Sequence, residues 1–193
     1  LLGALGGSRQ YKKSTFLLNS IDQIIIPESL SLFEQPFAKK TLGAKAFDRD
    51  GVLKREQYFV EDGRVKSYVM GQYSANQLGL KTTANAGGTN NVNVTANFDG
   101  GLEAMIKIMG KGLVVTELMG QGVNATTGDY SRGALGFWVE NGEIQHSVSG
   151  LTIAGNLKDM LLGIEHVGTD IDQRSNLKVG SILINQMTIA GES

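Results

Sequence analysis

Residues 114–156 constrain the fold more than any other part of the chain, because glycines recur between the apolar runs of this stretch. Within it, residues 137–140 and 143–146 flank the pair Asn141-Gly142. An Asn-Gly pair between two strand-like runs is a strong signal of a two-residue β-hairpin turn, since both turn residues adopt positive φ. The sequence therefore predicts an antiparallel hairpin in this stretch.

A second hairpin is predicted upstream, where Glu61-Asp62-Gly63 separates residues 53–60 from residues 64–71. Glycine is frequent along the whole chain, with 26 glycines among the 193 residues but only two prolines. This is about twice the usual share of glycine, which collects at turns and bulges because it tolerates backbone dihedrals that other residues avoid. Such a distribution favours many short strands over a helical bundle.

Two segments have helical periodicity. Residues 101–109 place apolar side chains at i, i+3, i+4 and i+7, with Asp99 as a candidate N-cap and Gly110 as a stop signal. Residues 156–163 repeat the pattern over a shorter length, with Asn156 as the candidate cap. The predicted fold class is α+β, mostly antiparallel β, with a curved or barrel-like sheet and two or three short helices.

Further strands are predicted at a β-branched run closed by a proline and at three apolar runs, namely residues 24–26, 113–118, 165–168 and 181–189. The length of 193 residues suits a single domain. The chain does not begin with methionine, and apolar residues 1–5 precede Gly6-Gly7 as the end of a helix would. We therefore expect the C-terminal part of a longer protein.

Composition argues against several classes of function. The formal net charge is −1, so no basic field points to nucleic acid or to an anionic membrane. No apolar run approaches the roughly 20 residues that span a bilayer. The sequence contains no cysteine, which excludes disulfides and thiolate ligands and suits the cytoplasm. Glycines at residues 120–122 and 128–133 lack the lysine and the helix of a phosphate-binding loop.

A catalytic centre is not evident from residue spacing. The two histidines, His146 and His166, are far apart, and no H-E-x-x-H motif is present. A serine hydrolase would need Ser131 against one of these histidines with Asp129 behind it. Ser131 lacks the G-x-S-x-G elbow, and Asp129 is predicted to be a turn residue. The residues alone therefore indicate a glycine-rich, mostly β domain without a complete catalytic set.

Four segments carry a resemblance to a known family. They read VVTELMGQGVN at residues 114–124, TGDYSRGA at 127–134, GFWVENGEI at 136–144 and IAGNLKDM at 153–160, with supporting agreement at 11–18 and 73–79. These segments resemble the C-terminal region of the PmbA/TldD family of bacterial metalloproteases. The amino-acid sequences of the two central segments, 127–134 and 136–144, are similar to those of the PmbA branch, which is also called TldE.

The resemblance implies a single C-terminal β-rich domain at residues 1–193, preceded in the family by an N-terminal α/β region. In the family, the TldD branch carries zinc through a His-Glu-x-x-x-His helix and a C-terminal cysteine. It pairs with the PmbA branch to form a peptidase that acts on unfolded peptides. No zinc ligand carries over to this chain, because residues 175–181 contain no cysteine. Zinc is therefore expected in a TldD-like partner and not in this chain.

The same central block supplies the candidate site. We expect a peptide channel or a subunit interface at Gly128, Asp129, Tyr130, Ser131, Arg132, Gly133 and Trp138. Glycine-rich edge strands within residues 128–136 would align an extended peptide through backbone hydrogen bonds. For Trp138, core packing is the default interpretation and an interface anchor is the alternative.

The function implied by the resemblance is the non-catalytic subunit of a TldD/TldE-type zinc metallopeptidase, acting in microcin maturation and antitoxin turnover. One alternative is a regulatory module that binds DNA gyrase without proteolysis. Another is an independent hydrolase that uses His146 or His166. The expected partners are a TldD-like zinc subunit and a peptide substrate. A second copy of the chain is a further candidate, since apolar surface left without a neighbouring domain needs covering.

Overall fold

The chain folds into two units, which the computed structural model describes over residues 1–191. Unit 1 comprises Leu1–Thr95 and Ile171–Val179, and unit 2 comprises Ala96–Asp170 and the chain from Gly180 onward. The helices are α1 (Gly7–Tyr11), α2 (Gln72–Leu78), α3 (Leu102–Met109) and α4 (Leu157–Leu162). The strands are β1 (Leu32–Glu34), β2 (Gln57–Glu61), β3 (Arg64–Val65), β4 (Val92–Val94), β5 (Gly112–Met119), β6 (Asp129–Glu140), β7 (Glu143–Asn156), β8 (Ile164–Val167), β9 (Leu177–Lys178), β10 (Ile182–Ile184) and β11 (Thr188–Ala190).

Unit 1 is built around a five-stranded sheet with strand order β3-β2-β1-β4-β9. Neighbouring strands are antiparallel except β4 and β9, which run parallel. The apolar side chains that these strands bury form much of the core of unit 1: Leu32, Phe59, Val60, Val65 and Val92. The sheet therefore joins segments of unit 1 that lie far apart in the sequence.

The hairpin at Asp62-Gly63 is confirmed, with φ of 47° and 75° at the two turn residues. Its strands are shorter than predicted, since β2 has five residues and β3 only two. β3 is short because the chain soon changes its pairing partner. The Val69 N–H donates to the Leu5 carbonyl oxygen at 3.0 Å, so this segment runs beside the N-terminal residues.

The predicted strand at residues 24–26 is wrong. Ile24 makes only an isolated antiparallel bridge with Arg64. A ladder needs successive residues on both partners, and β3 offers only two. Ile26 lies instead in the core of unit 1, where its side chain is 1% exposed. The β-branched run thus serves packing and not a sheet.

Unit 2 contains a four-stranded antiparallel sheet with order β11-β7-β6-β5, and β8 pairs with β10 separately. The hairpin at Asn141-Gly142 is confirmed, with φ of 54° and 74°. Its strands, β6 and β7, have 12 and 14 residues and are much longer than predicted. Register shifts after Ala134 and Trp138 mark β-bulges, which increase the local twist of long strands.

The predicted fold class is confirmed. Within residues 1–191 the structure has four helices and eleven strands, and β4–β9 is the one parallel pair among the strand pairs described. The sheet of unit 2 is open, because β5 and β11 form its two edges and are not hydrogen-bonded to each other. Of the two predicted forms, the structure therefore has an open sheet and not a closed barrel. The predicted strand at residues 181–189 is divided into β10 and β11.

Helix α3 confirms the predicted helix, and Gly110 ends it with φ of 68°. The prediction of Asp99 as N-cap is wrong, because Gly101 occupies the cap position and provides no side-chain acceptor. The side chain of Asp170, distant in sequence, accepts the Leu102 N–H at 3.0 Å instead. An acceptor from another segment thus satisfies an amide that has no partner within the helix.

Helix α4 is also confirmed, together with its cap. The Asn156 side chain accepts the Lys158 N–H at 3.0 Å. Helices α1 and α2 were not predicted, and the expected helix end at residues 1–5 is a turn that precedes α1. None of the helices in the described part of the chain is long and apolar enough to cross a bilayer.

We expect Asp170→Asn to lower the free energy of unfolding by about 1 kcal/mol at neutral pH. The carboxylate accepts the Ser181 hydroxyl at 2.7 Å, the Ser181 N–H at 2.9 Å and the Leu102 N–H. These donors, Ser181 above all, hold the pKa of Asp170 below its usual value. Because the folded pKa is the lower one, the stabilisation is complete above about pH 4 and is lost as the pH falls through the folded pKa.

Thermal melting of the wild type and Asp170→Asn between about pH 3 and pH 7 measures this effect. The two melting curves should differ at neutral pH and converge in acid. Asp99→Asn is the matched control, because Asp99 precedes the same helix without capping it. A gap between wild type and Asp170→Asn that stays constant with pH would contradict the role given to the charged carboxylate.

Candidate functional site

The predicted site residues divide between two places in unit 2. The loop before β6 ends at Gly128, with φ of 87°, and the first residues of β6 are Asp129, Tyr130, Ser131, Arg132 and Gly133. Trp138 lies farther along the strand, opposite Leu113 on β5 and His146 on β7. The structure therefore brings together residues 128–133 but not Trp138.

An open cleft of about 590 Å³ lies beside the start of β6, and we call it the β6 cleft. One wall is the loop of residues 121–125, and the other is formed by residues 129–131. The predicted site includes the second wall but not the first. The glycines at 120 and 122 were a signal for this loop, but they were weighed only as a phosphate-binding motif.

Local hydrogen bonds order the loop beside the cleft. The Asn124 side chain accepts the N–H groups of Thr126 and Thr127 at 3.0 and 3.2 Å. The Thr127 hydroxyl donates to the Asp129 carboxylate at 2.6 Å, and the Asn156 amide donates to the same carboxylate at 3.3 Å. Asp129 therefore differs from the predicted turn residue: it is the first residue of β6, and its carboxylate accepts from the side chains of Thr127 and Asn156.

The chemistry of a serine hydrolase is not assembled at Ser131. His146 lies opposite Trp138, and His166 lies on β8 opposite Leu183. In the part of the chain that the structure describes, neither histidine is hydrogen-bonded to Ser131. The arrangement of a nucleophile, a base and an orienting acid is therefore not formed by these residues.

The backbone of β6 is occupied on both sides, so residues 128–136 do not form the edge strand that we predicted. β6 pairs with β5 and with β7. β5 pairs with β6 only from Gly133 onward. At Ser131 the loop after β5 takes its place, since the Ser131 N–H donates to the Gly122 carbonyl oxygen at 2.7 Å. The approach is so close that a Cβ at Gly122 would overlap the Ser131 carbonyl oxygen. A ligand at the β6 cleft would thus contact side chains and the loop instead of a free strand edge.

Arg132 faces a different environment from its neighbours at the cleft. One of its terminal nitrogens, Nη2, donates to the Leu118 carbonyl oxygen at 3.2 Å. Its Nε is buried and has no hydrogen-bond partner among residues 1–191. Tyr130, Ala134 and Ile153 form a buried apolar cluster on the same side of the sheet. The guanidinium therefore lies at the border between solvent and an apolar layer.

Trp138 belongs to a small polar cluster near the hairpin turn. Its indole N–H donates to Glu140 at 3.2 Å, and Lys111 forms an ion pair with the same carboxylate at 3.2 Å. Trp138 first, and Lys111 next, hold the pKa of Glu140 below its usual value. The Lys111 ammonium also lies 5.8 Å from the centre of the indole ring. These contacts orient the half-buried indole at the surface, which is compatible with an interface anchor.

The residues at hand do not fit a zinc site. Over residues 1–191, no group of three or more His, Asp or Glu side chains is close enough to hold a metal ion, and the sequence has no cysteine. Zinc of the kind that metallopeptidases use takes at least three protein ligands. Residues 1–191 therefore offer no site that would hold a catalytic zinc ion.

Comparison with known proteins identifies the family. The model of the PmbA/TldA metallopeptidase C-terminal domain matches residues 1–191. The metalloprotease PmbA of Escherichia coli O157:H7 is 52% identical over 192 residues, which cover 100% of this chain and 42% of that protein. The chain thus spans about two fifths of the length of the curated relatives that it matches.

Solved structures agree with this match. A Bacteroides thetaiotaomicron protein described as a putative modulator of DNA gyrase has a TM-score of 0.93 and 29% identity, over 99% of this chain and 43% of its own. TldE of Thermococcus kodakarensis has a TM-score of 0.85 and 28% identity, over 99% of this chain and 46% of its own. The chain therefore belongs to the PmbA/TldD family of metallopeptidases, in which it corresponds to the C-terminal domain.

Proposed function

We propose that this chain is the C-terminal domain of the non-catalytic subunit of a TldD/TldE-type zinc metallopeptidase. In this proposal a TldD-like subunit carries the zinc, and the complex cleaves unfolded peptides, as in microcin maturation or antitoxin turnover. The 52% identity to a PmbA protein and the structural similarity to a TldE protein support the assignment to this branch. The absence of cysteine from the sequence suits a reducing compartment, and we place the complex in the cytoplasm.

The observation that carries the proposal is the apolar surface beside the β6 cleft. Leu118 and Val123 are 38% and 43% exposed and lie opposite Ala134 and Tyr130, which share one face of β6. Clustered exposed apolar side chains mark contact surfaces for proteins or peptides. Residues 128–133 and this surface would together contribute to the subunit interface or to the wall of a peptide channel.

Peptidase activity and zinc content test the proposal. The full-length protein would be assayed alone and mixed with a TldD-like partner, with an unstructured peptide as substrate. We expect activity that chelators abolish, and zinc in stoichiometric amount, only in the mixture. Zinc and chelator-sensitive activity in the full-length protein without the partner would show that it is itself a catalytic subunit.

A second candidate is a regulatory module that binds DNA gyrase without proteolysis. The description of the Bacteroides relative as a putative modulator of DNA gyrase favours it. Capture of purified gyrase by the full-length protein, in the absence of any TldD-like subunit, distinguishes it from the first proposal. Capture that requires the TldD-like subunit would favour the peptidase complex.

A further inference from the structure

We propose that Arg132 is the centre of a docking surface that receives a carboxylate side chain of the zinc-carrying partner subunit. We call this the Arg132 surface and define it by Leu118, Arg132, Leu151 and Ile189. The inference rests on the proposed function and adds to it a specific place and a specific chemistry of contact. It differs from the β6 cleft, to which Arg132 contributes no wall.

The strand register places Arg132 among apolar side chains. Directly opposite residues of paired strands share one face of a sheet. Arg132 on β6 lies opposite Ile153 on β7, which in turn lies opposite Ile189 on β11. The next row of the same face consists of Leu118, Ala134 and Leu151. Arg132 is thus the one charged member of these two rows.

Exposure shows which part of this face is available to a partner. Ala134 and Ile153 are 1% and 5% exposed and belong to the core of unit 2. Leu118 and Ile189, at opposite sides of the same face, are 38% and 39% exposed. Leu157, Met160 and Met187 of the same unit pack against the cluster that contains Ala134 and Ile153. The part of the Arg132 surface left for a partner is therefore its partly exposed apolar flanks.

The charge on Arg132 has no counter-charge among the described residues, where none of the salt bridges involves it. The nearest acidic residues along its own and the adjacent strand, Asp129 and Glu117, face the other way. Asp129 is three positions from Arg132, and Glu117 lies opposite Leu135, which is also three positions away. Side chains at odd spacing point to opposite faces of a strand.

Among the described residues the guanidinium of Arg132 therefore has no counter-charge and too few hydrogen-bond acceptors. Arginine stays charged at all physiological pH values. In the described part of the chain the buried Nε has no acceptor, and the carbonyl oxygen of Leu118 accepts from only one of the terminal nitrogens. A partly desolvated cation without a counter-charge is unfavourable, and a carboxylate would relieve it with charge-assisted hydrogen bonds. The surface therefore complements an acidic side chain bordered by apolar groups.

A folded partner fits this surface better than a peptide does. The two rows cross β5, β6, β7 and β11, which corresponds to a width of about 14 Å at the usual strand spacing. Exposed contact points at Leu118 and Ile189, on the two outer strands of this width, suit a second protein surface, whereas an extended peptide suits a groove. Arginine is also enriched at the energetic centres of protein–protein interfaces. We therefore assign the carboxylate to the zinc-carrying subunit.

Binding between the full-length protein and a purified TldD-like subunit tests the inference. We expect Arg132→Gln to weaken the dissociation constant at least about tenfold, because a desolvated charge on the partner loses its counter-ion. Arg132→Lys should fall between Arg132→Gln and the wild type, since lysine keeps the charge but not the planar fork. Lys158→Gln is the matched control, because Lys158 is an exposed cation of the same unit that lies outside these rows.

Thermal stability separates docking from a structural role. Arg132→Met replaces the charge by an apolar side chain of similar length, so we expect its melting temperature to equal or exceed that of the wild type while partner binding is lost. A large drop in melting temperature would overturn the inference in favour of a structural arginine. Unchanged affinity of a normally folded Arg132→Gln would also overturn it.

The outcomes distinguish this inference from the function on which it rests. If the wild-type protein binds no TldD-like subunit, the proposed function fails. If the wild type binds and Arg132→Gln binds equally well, only the Arg132 surface fails. If Arg132→Gln assembles normally with the partner but raises the KM for a peptide, the assignment to the partner is overturned. The carboxylate that Arg132 binds would then belong to the substrate.

Discussion

Glu34→Gln is expected to lower the free energy of unfolding by about 3–5 kcal/mol, the largest electrostatic effect that we expect in this chain. Glu34 and Lys54 form an ion pair at 3.3 Å, with side chains 0% and 1% exposed. Removing the carboxylate charge leaves a buried ammonium without a counter-charge. Urea denaturation followed by circular dichroism measures the loss.

The contacts around this pair explain why both charges are tolerated. The Glu34 carboxylate also accepts the side-chain amides of Gln57 and Asn85, both at 2.9 Å, and the Asn90 N–H at 2.6 Å. Lys54 donates to the Ala84 carbonyl oxygen at 2.7 Å. The charges are therefore embedded in hydrogen bonds that tie β1 to residues 84–90. Loss of the pair should loosen that connection as well as reduce stability.

The matched control is Glu61→Gln on β2. Glu61 pairs with Lys66 at 3.7 Å, but the two side chains are 42% and 39% exposed. A surface pair of this kind contributes about 0–1 kcal/mol. We also expect the double variant Glu34→Gln/Lys54→Met to be more stable than Glu34→Gln alone, because it removes the orphaned charge. Equal losses for Glu34→Gln and Glu61→Gln would contradict the role given to burial.

Gly136→Ala is expected to cost roughly 3 kcal/mol of stability, the largest steric effect that we expect on β6. A Cβ at this position would overlap the carbonyl oxygen of Val114 on the neighbouring strand. Because the obstacle is backbone and not a flexible side chain, β5 would have to move away from β6. The same movement would disturb Val114 and Val139, which form an apolar cluster with Ile106 of α3.

Gly133→Ala on the same strand is the control for this prediction. The three atoms nearest to a Cβ there all belong to Met119, two of its side chain at 3.4 and 3.5 Å and its carbonyl oxygen at 3.8 Å, and all three are ordinary contacts. We expect its stability to stay within about 1 kcal/mol of the wild type. The urea midpoints of Gly136→Ala and Gly133→Ala measure this difference in stability. Similar midpoints would mean that β5 and β6 separate easily, and that the close approach at Gly136 is not a constraint.

The short-range parts of the fold could be predicted because their causes are local. Asp62-Gly63 and Asn141-Gly142 specify hairpin turns, since both members of each pair adopt positive φ. Apolar spacing specified α3, and the Asn156 side chain capped α4 as expected. The two unpredicted helices, α1 and α2, have only five and seven residues, too few for a clear period. Residues 128–133 of the candidate site were selected by resemblance to a family and not by periodicity.

What the sequence alone determined is therefore the fold class, both hairpins, two helices and the family. Tertiary structure decided whether β6 was an edge or a central strand, because pairing with β5 and β7 depends on long-range register. It also decided that Asp170 and not Asp99 caps α3, and that Arg132 lies on an apolar face with no ion-pair partner within residues 1–191. Local sequence sets dihedral preferences and periodicity, whereas burial and charge pairing arise between segments that meet only when the chain is folded.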